Sequence, residues 1–276
     1  MPELPEVETV RRVLEPQLAG RTVERVTVSR PEVVSRPSAE EFCHRLGGQQ
    51  ISHLERRGKF LRIVLHSGDA VVLHLRMTGS LLLVPAEEPL EKHTHVMMQM
   101  SGGRELRFCD PRRFGRLWLF GRGEDDSDSG INKLGPEPFD PGLTGAYLQT
   151  YCQRRKRAVK VCLLDQGMVA GIGNIYADEI LFAAGIDPRR PANCLNQSEW
   201  DALAATIPER LSYFIEKNTI SPEEYLAGKG RDYRNTPFLQ VYGHGKEACP
   251  RCRGAFERIV VGGRSTVYCP FCQKES

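Results

Sequence analysis

Phe60-Leu61-Arg62-Ile63-Val64-Leu65-His66, Ser67-Gly68-Asp69 and Ala70-Val71-Val72-Leu73-His74-Leu75 follow one another without a break. Two apolar, β-branched runs around a Ser-Gly-Asp turn read as a hairpin. The same grammar continues on both sides. Ile51–Glu55 precedes the hairpin. Ser80–Val84, Val96–Met100, Glu105–Phe108 and Arg116–Phe120 follow it, with a second turn at Ser101-Gly102-Gly103. Many short strands at this spacing predict an antiparallel sandwich or barrel with helices packed at its edge.

Upstream, Val7, Val10, Leu14 and Leu18 recur at spacings of three and four, so Pro5 to Leu18 reads as a helix with one apolar face. Pro5 suits its first position and Gly20 its C-terminal cap. A strand is expected from Thr22 to Val28. Ser38, with Glu41 three residues on, announces a second helix.

The first helix would carry Met1-Pro2-Glu3-Leu4-Pro5-Glu6 at its N-terminal end. Residue 2 is small, so removal of Met1 is expected, which leaves Pro2 as a free secondary amine beside Glu3. An α-amino group has a pKa of about 7.7–8.0, so part of it is unprotonated near neutral pH. A lysine must be desolvated or charge-coupled to reach that state. The positive end of a helix dipole also disfavours a protonated amine. A secondary amine that attacks a sugar carbon gives a cationic iminium, which eases elimination at neighbouring carbons. Six residues at a chain end are more often a frayed terminus than a catalytic group.

Basic and apolar residues collect in the turns of the expected sheet: Arg56-Arg57-Gly58-Lys59, His74-Leu75-Arg76-Met77-Thr78-Gly79 and Asp110-Pro111-Arg112-Arg113-Phe114-Gly115. Each alone is an ordinary solvated turn. Together they supply what opening a DNA duplex requires: cations for phosphate, and apolar wedges for the space that a base vacates.

Downstream, Gly121 to Gly130 is rich in Gly, Ser and acid and reads as an exposed linker. Leu134-Gly135-Pro136-Glu137-Pro138 continues it. After Arg154-Arg155-Lys156-Arg157 an apolar helix is expected to end near Gln166-Gly167. Gly171-Ile172-Gly173-Asn174 then turns into a helix over Ile175–Ala184, closed by Gly185. A glycine turn at a helix N-terminus offers N–H groups to an anion, although a plain helical pair fits equally well. Trp200 to Glu216 is amphipathic, and Asn218 to Pro237 reads as a mobile polar loop.

Of nine cysteines, Cys43, Cys109, Cys152, Cys162 and Cys194 are scattered singly, as buried thiols in a reducing compartment are. Cys249-Pro250-Arg251-Cys252 and Cys269-Pro270-Phe271-Cys272 form two C-x-x-C pairs around Val260-Val261-Gly262-Gly263-Arg264. That spacing predicts a hairpin with one Zn²⁺ held by four thiolates. A filled tetrahedral shell makes the metal structural. Two disulfides are the alternative, and they suit a cytoplasmic chain poorly.

The 276 residues suffice for two domains, and the composition is that of a folded protein. No run is long enough to span a membrane, and the N-terminus lacks the apolar core of a signal peptide. A cytoplasmic location is therefore expected. The net charge of +3 permits a nucleic-acid partner without arguing for one.

Pro2-Glu3-Leu4-Pro5-Glu6-Val7-Glu8-Thr9 resembles the opening of bacterial formamidopyrimidine-DNA glycosylases, which excise oxidised purines. Arg57-Gly58-Lys59, Asp110 to Gly115, Leu134 to Pro138, Asp165-Gln166, Gly171 to Glu179 and the four-cysteine finger with Gly263-Arg264 extend the resemblance, in the family's order, across the whole chain.

The resemblance implies an α+β fold. An antiparallel β-sandwich with flanking helices is expected over residues 1–120 and a linker over 121–150. A helix–two-turn–helix domain would follow over 151–235 and a zinc-finger β-hairpin over 236–276. Double-stranded DNA with an oxidised base or an abasic site would lie in the cleft between the domains. The protein would act as a monomer, with one structural Zn²⁺ and no redox or nucleotide cofactor. Pro2 would be the nucleophile at C1′, Glu3 would move protons, Glu6 would support the site, and Lys59 would stabilise charge near sugar and phosphate. Met77, Arg112 and Phe114 would fill the gap left by the flipped lesion, with Arg112 facing the orphaned base. His74, Asn174, Tyr242 and Arg264 would grip backbone phosphates.

Some positions depart from the family pattern. The segment Asn218 to Gln240, with Arg231-Asp232-Tyr233, has altered spacing to Phe238 and Gln240, and Thr78 stands where several relatives carry Glu. These departures leave lesion preference open. Two alternatives to the purine enzyme remain. The endonuclease VIII branch acts on oxidised pyrimidines, and its opening usually has Gly where this chain has Leu4. The other is a non-catalytic zinc-finger regulator, which would select a DNA sequence rather than damage.

Overall fold

A computed structural model describes residues 2–274. In chain order its elements are α1 (Leu4–Leu18), β1 (Val23–Val28), β2 (Val34–Arg36), α2 (Ala39–Leu46), β3 (Ile51–Arg57), β4 (Phe60–Leu65), β5 (Ala70–His74), β6 (Ser80–Pro85), β7 (Thr94–Met100), β8 (Arg104–Cys109) and β9 (Arg116–Phe120). Then come α3 (Gly145–Cys152), α4 (Val159–Leu163), α5 (Asn174–Ala184), α6 (Gln197–Lys217), α7 (Pro222–Ala227), β10 (Glu257–Val261) and β11 (Arg264–Tyr268). They divide into two units, Met1–Asn132 with Asn218–Arg234, and Lys133–Lys217 with Asn235–Ser276.

The first unit holds two sheets, ordered β1-β7-β8-β6 and β2-β9-β5-β4-β3. Every pairing is antiparallel except β2 with β9, which is parallel. Side chains from both sheets and from α1 share one core that includes Val10, Leu14, Leu61, Leu73, Leu106 and Leu117. The expected hairpin is β4–β5, with Ile63 opposite Val71. Strand β5 is buried along its whole length. That is why its sequence is a continuous apolar run rather than an alternation. The three-residue strand β2 was not expected, being too short to show a period.

Helix α1 forms on the predicted face: Leu4, Val7, Val10, Leu14 and Leu18 are all buried. Burying each such side chain contributes roughly 1.5–3 kcal/mol, so a charge at Val10 would detach the helix. A reciprocal Glu3/Glu6 capping box starts it, one residue earlier than Pro5 suggested. Ala19 ends it, and Gly20 follows at φ +81°.

The polar segment after Asn218 is not the irregular loop that its sequence suggested. Ser221 and Glu224 form a second capping box that starts α7. Tyr225 enters the first unit's core, and its hydroxyl donates to the carbonyl of Leu81 at 2.9 Å. The capping signal was present in the sequence, but the helix has too few apolar residues to show a face.

In the second unit, α5 and α6 bury Tyr176, Ile180, Leu181, Trp200, Leu203, Ile207 and Phe214 against one another. The expected helix before Gln166 is only the short α4, and α3, capped by Thr144, was not foreseen. The hairpin β10–β11 has its own small core of Phe182, Val241, Phe256 and Val267 with Cys249 and Cys269. Among the described residues, no helix is long and apolar enough to cross a membrane.

Candidate active site and nucleic-acid interface

The head of α1 is enclosed. Pro2 is buried, and Glu3 and Glu6 are 1% and 2% exposed. The backbone N–H of Glu3 donates to Glu6 Oε2 at 2.8 Å, while the Glu3 carboxylate accepts from the N–H of Glu6. The pair fixes the backbone turn that leads to Pro2. Asn218, fully buried, brings its side-chain amide to 3.4 Å from Glu6 Oε1. Its backbone carbonyl accepts from the Thr9 hydroxyl at 3.4 Å. Met1, whose removal the amine chemistry requires, lies outside the described residues.

Lys59 sits in the tight β3–β4 turn, where Gly58 adopts φ +55°, and it is 8% exposed. The turn is tied to α1 by Arg56, whose Nε donates to Glu8 Oε2 at 3.1 Å while a terminal nitrogen donates to the Gly58 carbonyl at 3.2 Å. Burial would raise the Glu8 carboxyl. Hydrogen bonds from Arg11 and Arg12 and the charges of Arg11 and Arg56 outweigh it and hold the group at about 2.

His74 lies across the β4–β5 ladder from Phe60, with the rings edge to face at 4.6 Å. The Arg76 N–H donates to its Nδ1 at 3.0 Å, which leaves the ring proton on Nε2. Burial, then the charges of Arg76 and Lys59, push its pKa down to about 3. His74 is thus a neutral N–H donor.

Met77, in the β5–β6 loop, is 43% exposed, and Phe114, in the β8–β9 loop, is 47% exposed. The Arg112 guanidinium stacks over the Phe114 ring at 4.5 Å. Between the loops is Asp110, which is fully buried. Its Oδ1 accepts from the Thr78 hydroxyl and, at 3.2 Å, from the Arg112 N–H, and its Oδ2 accepts from the Gly115 N–H at 2.8 Å.

In the second unit, Asn174 opens α5, and its amide donates to the carbonyl of Ser265 at 3.0 Å, next to exposed Arg264. Glu179, also on α5, is buried and accepts the backbone N–H groups of Gln240, Val241 and Tyr242 at 2.9–3.1 Å. One helix therefore places Asn174, Tyr242 and Arg264. Behind them Lys160 Nζ is 2.7 Å from Asp178 Oδ1 and donates to Thr266 Oγ1 at 2.7 Å, both side chains being buried. Gly262, at φ +55°, lets the hairpin turn lie against Val161, which a Cβ would meet at 2.5 Å.

The four finger cysteines converge, with all sulfurs within 4.8 Å of one another. Cys249 and Cys272 stand 3.8 Å apart, and Cys252 and Cys269 3.4 Å. A disulfide needs about 2.05 Å. Zn–S bonds of about 2.3 Å put tetrahedral sulfurs about 3.8 Å apart. The donor set therefore fits one structural Zn²⁺ and not the disulfide alternative.

Sequence reasoning named buried residues (Pro2, Glu3, Glu6, Lys59, His74) and exposed ones (Met77, Arg112, Phe114, Arg264) alike, and gave no role to the groups that hold them: Asp110, Glu179, Asn218 and the Arg56–Glu8 pair. Each of these has a partner distant in the chain, such as Thr78 for Asp110, which no local spacing marks.

Family models match three stretches of the chain. Residues 1–117 match the formamidopyrimidine-DNA glycosylase N-terminal domain, residues 134–224 its H2TH domain, and residues 246–274 a zinc finger found in FPG and IleRS. The class is therefore the helix–two-turn–helix, zinc-finger DNA glycosylases. Among curated relatives, the formamidopyrimidine-DNA glycosylase of Moorella thermoacetica is 48% identical over 94% of each chain. That of Geobacillus kaustophilus is 43% identical over 99% of this chain and 100% of its own. A solved structure of Lactococcus lactis Fpg with Fapy-dG-containing DNA superposes with a TM-score of 0.89, at 33% identity over 99% of this chain and 100% of its own. Another, with an oxidised-pyrimidine-containing DNA, gives 0.91 at 34% identity over the same shares. The chain belongs to the formamidopyrimidine-DNA glycosylase family.

Proposed function

We propose that the chain is a base-excision DNA repair enzyme, a bifunctional glycosylase and AP lyase for oxidised purines such as 8-oxoguanine and formamidopyrimidines. The observation that carries this reading is the enclosed head of α1, where Pro2 follows a backbone turn held by Glu3 and Glu6. The relatives' names and the DNA in the similar structures support the substrate class.

The neutral Pro2 nitrogen attacks C1′, forming an N–C bond as the C1′–N bond to the base breaks, and the amine's N–H proton passes to the departing base. Glu3 delivers a proton to the ring oxygen as the sugar opens, which leaves an iminium at C1′. Loss of a C2′ proton expels the 3′ phosphate, and loss of a C4′ proton expels the 5′ phosphate. Water then hydrolyses the iminium and returns the amine. Lys59 stabilises charge near sugar and phosphates. His74, Asn174, Tyr242 and Arg264 hold phosphates, His74 as a neutral donor. Met77 and Phe114 fill the vacated space and Arg112 meets the orphaned base, offsetting the few kcal/mol that flipping costs. The protein works as a cytoplasmic monomer, gathered at the nucleoid by its substrate. The zinc ion holds the hairpin that presents Arg264.

The test is a panel of duplexes that carry 8-oxoguanine, a formamidopyrimidine, an oxidised pyrimidine, an abasic site or no damage, incubated with borohydride. Covalent trapping on the oxidised purines and the abasic site, with cuts on both sides of the sugar, is expected. Trapping confined to the pyrimidine lesion would move the chain to the endonuclease VIII type of activity. Sequence-selective binding without trapping would make it a regulator.

A further inference from the structure

We infer that Thr78 and Asp110 are positioning residues that lock the two wedge loops into a single insertion element, so that Met77 and Phe114 enter the duplex together. The inference rests on the reading of Met77, Arg112 and Phe114 as the residues that fill the gap.

Asp110 follows β8 directly and is fully buried. One carboxylate oxygen serves both loops at once, accepting the Thr78 hydroxyl from the β5–β6 loop and the Arg112 N–H from the β8–β9 loop. The other accepts the Gly115 N–H at 2.8 Å, closing the second loop at its far end. The backbone of Asp110 is held as well: its N–H donates to the His93 carbonyl at 3.0 Å, and its carbonyl lies 2.8 Å from His95 Nε2.

Phe108, two residues earlier and 1% exposed, lies beneath both loops. A Cβ added at Gly79 would meet the Phe108 ring at 3.1 Å and the Leu75 carbonyl at 2.5 Å. One added at Gly115 would meet the same ring at 2.6 Å. Both loops are therefore seated on one aromatic ring and tethered to one carboxylate, buried at Gly79, Asp110 and Gly115 and exposed at Arg76, Met77 and residues 111–114. A wedge ordered before it meets DNA loses less side-chain freedom on insertion. Linking the loops makes the two insertions one event, and among the described residues the hydroxyl of Thr78 is the side-chain hydrogen-bond donor in that link, the other donors being backbone N–H groups.

Thr78→Val removes the hydroxyl and keeps the shape, and Thr78→Ser keeps the hydroxyl. Single-turnover release of 8-oxoguanine from a paired duplex should fall roughly tenfold in Thr78→Val, the loss of one hydrogen bond to a buried carboxylate. The loss at a ready-made abasic site, which has no base to extrude, should be much smaller. Thr78→Ser should restore most of the rate. In a Phe114→Ala background, Thr78→Val should cost clearly less than it does alone, because it acts through the partner loop. Thermal melting of each variant separates positioning from folding. If Asp110→Asn fails to fold, the Thr78 series still decides. Parental rates in Thr78→Val, equal losses on the two substrates, or losses that multiply with Phe114→Ala would each overturn the inference. A parent protein inert on both duplexes would instead remove the glycosylase reading, and the inference with it.

Discussion

Arg56 and Glu8 meet at 3.1 Å across 48 residues of chain, and their contact joins the Lys59 turn to the helix that carries Pro2. Both side chains are about nine-tenths buried. The proposed nucleophile and the proposed charge-stabilising lysine stand on separate elements, and this pair ties those elements together. Breaking a buried pair by removing one charge leaves the other uncompensated.

The Glu8 carboxyl, held at about 2 against an ordinary 4.5, therefore makes stability depend on acid. Its folded pKa is depressed, so the contribution is complete above about pH 4.5 and is lost as pH falls towards 2. At 1.36 kcal/mol per unit the shift corresponds to about 3 kcal/mol. Glu8→Gln should lower stability at neutral pH by up to that order and flatten the profile between those limits. Urea unfolding measured over the acid range tests it, and an unchanged slope would refute the assignment.

His74 should not titrate near its ordinary value. Its folded pKa is depressed to about 3 from 6.5, so the native ring stays neutral where the unfolded ring gains a proton. Stability from this site is complete above about pH 6.5 and declines as pH falls towards 3. Nitrogen-15 NMR of the ring should show the Nε2–H tautomer unchanged between about pH 8 and pH 5. A titration midpoint near 6.5 would show that the Arg76 N–H does not occupy Nδ1.

The amine reading is most exposed at the chain's beginning. A residue retained ahead of Pro2 would turn the amine into an amide, whose lone pair is delocalised. An N-terminal tag should therefore abolish borohydride trapping while lesion binding stays largely intact. Pro2→Gly should keep weak trapping through its primary amine, and Glu3→Gln should impair base release far more than binding. Peptide mass spectrometry of the reduced complex should find DNA on Pro2. Attachment at Lys59 would overturn the nucleophile.

Metal removal should act on DNA binding rather than on the amine. Cys252→Ser, or stripping with a chelator, should weaken lesion-DNA binding by roughly tenfold or more, since folding of such a hairpin is coupled to its metal. Trapping per bound complex should persist, because Pro2 and Glu3 belong to the other unit. Undiminished binding by the stripped protein would end the proposed role of Arg264.

Local grammar alone determined a good deal of this protein. The β4–β5 hairpin, the apolar face of α1, the glycine turn into α5 and the C-x-x-C pairs each depend on residues within a few positions of one another, so spacing reveals them. Met77, Arg112 and Phe114 were legible as basic and apolar turn residues, whereas Asn174, Tyr242 and Arg264 were marked by the family resemblance and not by spacing. Asp110 between two loops, Glu179 under Tyr242, Asn218 on Glu6 and Arg56 on Glu8 were decided only by tertiary structure. Each is a buried polar group that must find a partner because water is excluded, and that partner lies wherever the fold brings a donor or a charge. The helix α7 belongs with them: its caps are local, but its attachment rests on one tyrosine that reaches Leu81 on a strand 144 residues earlier.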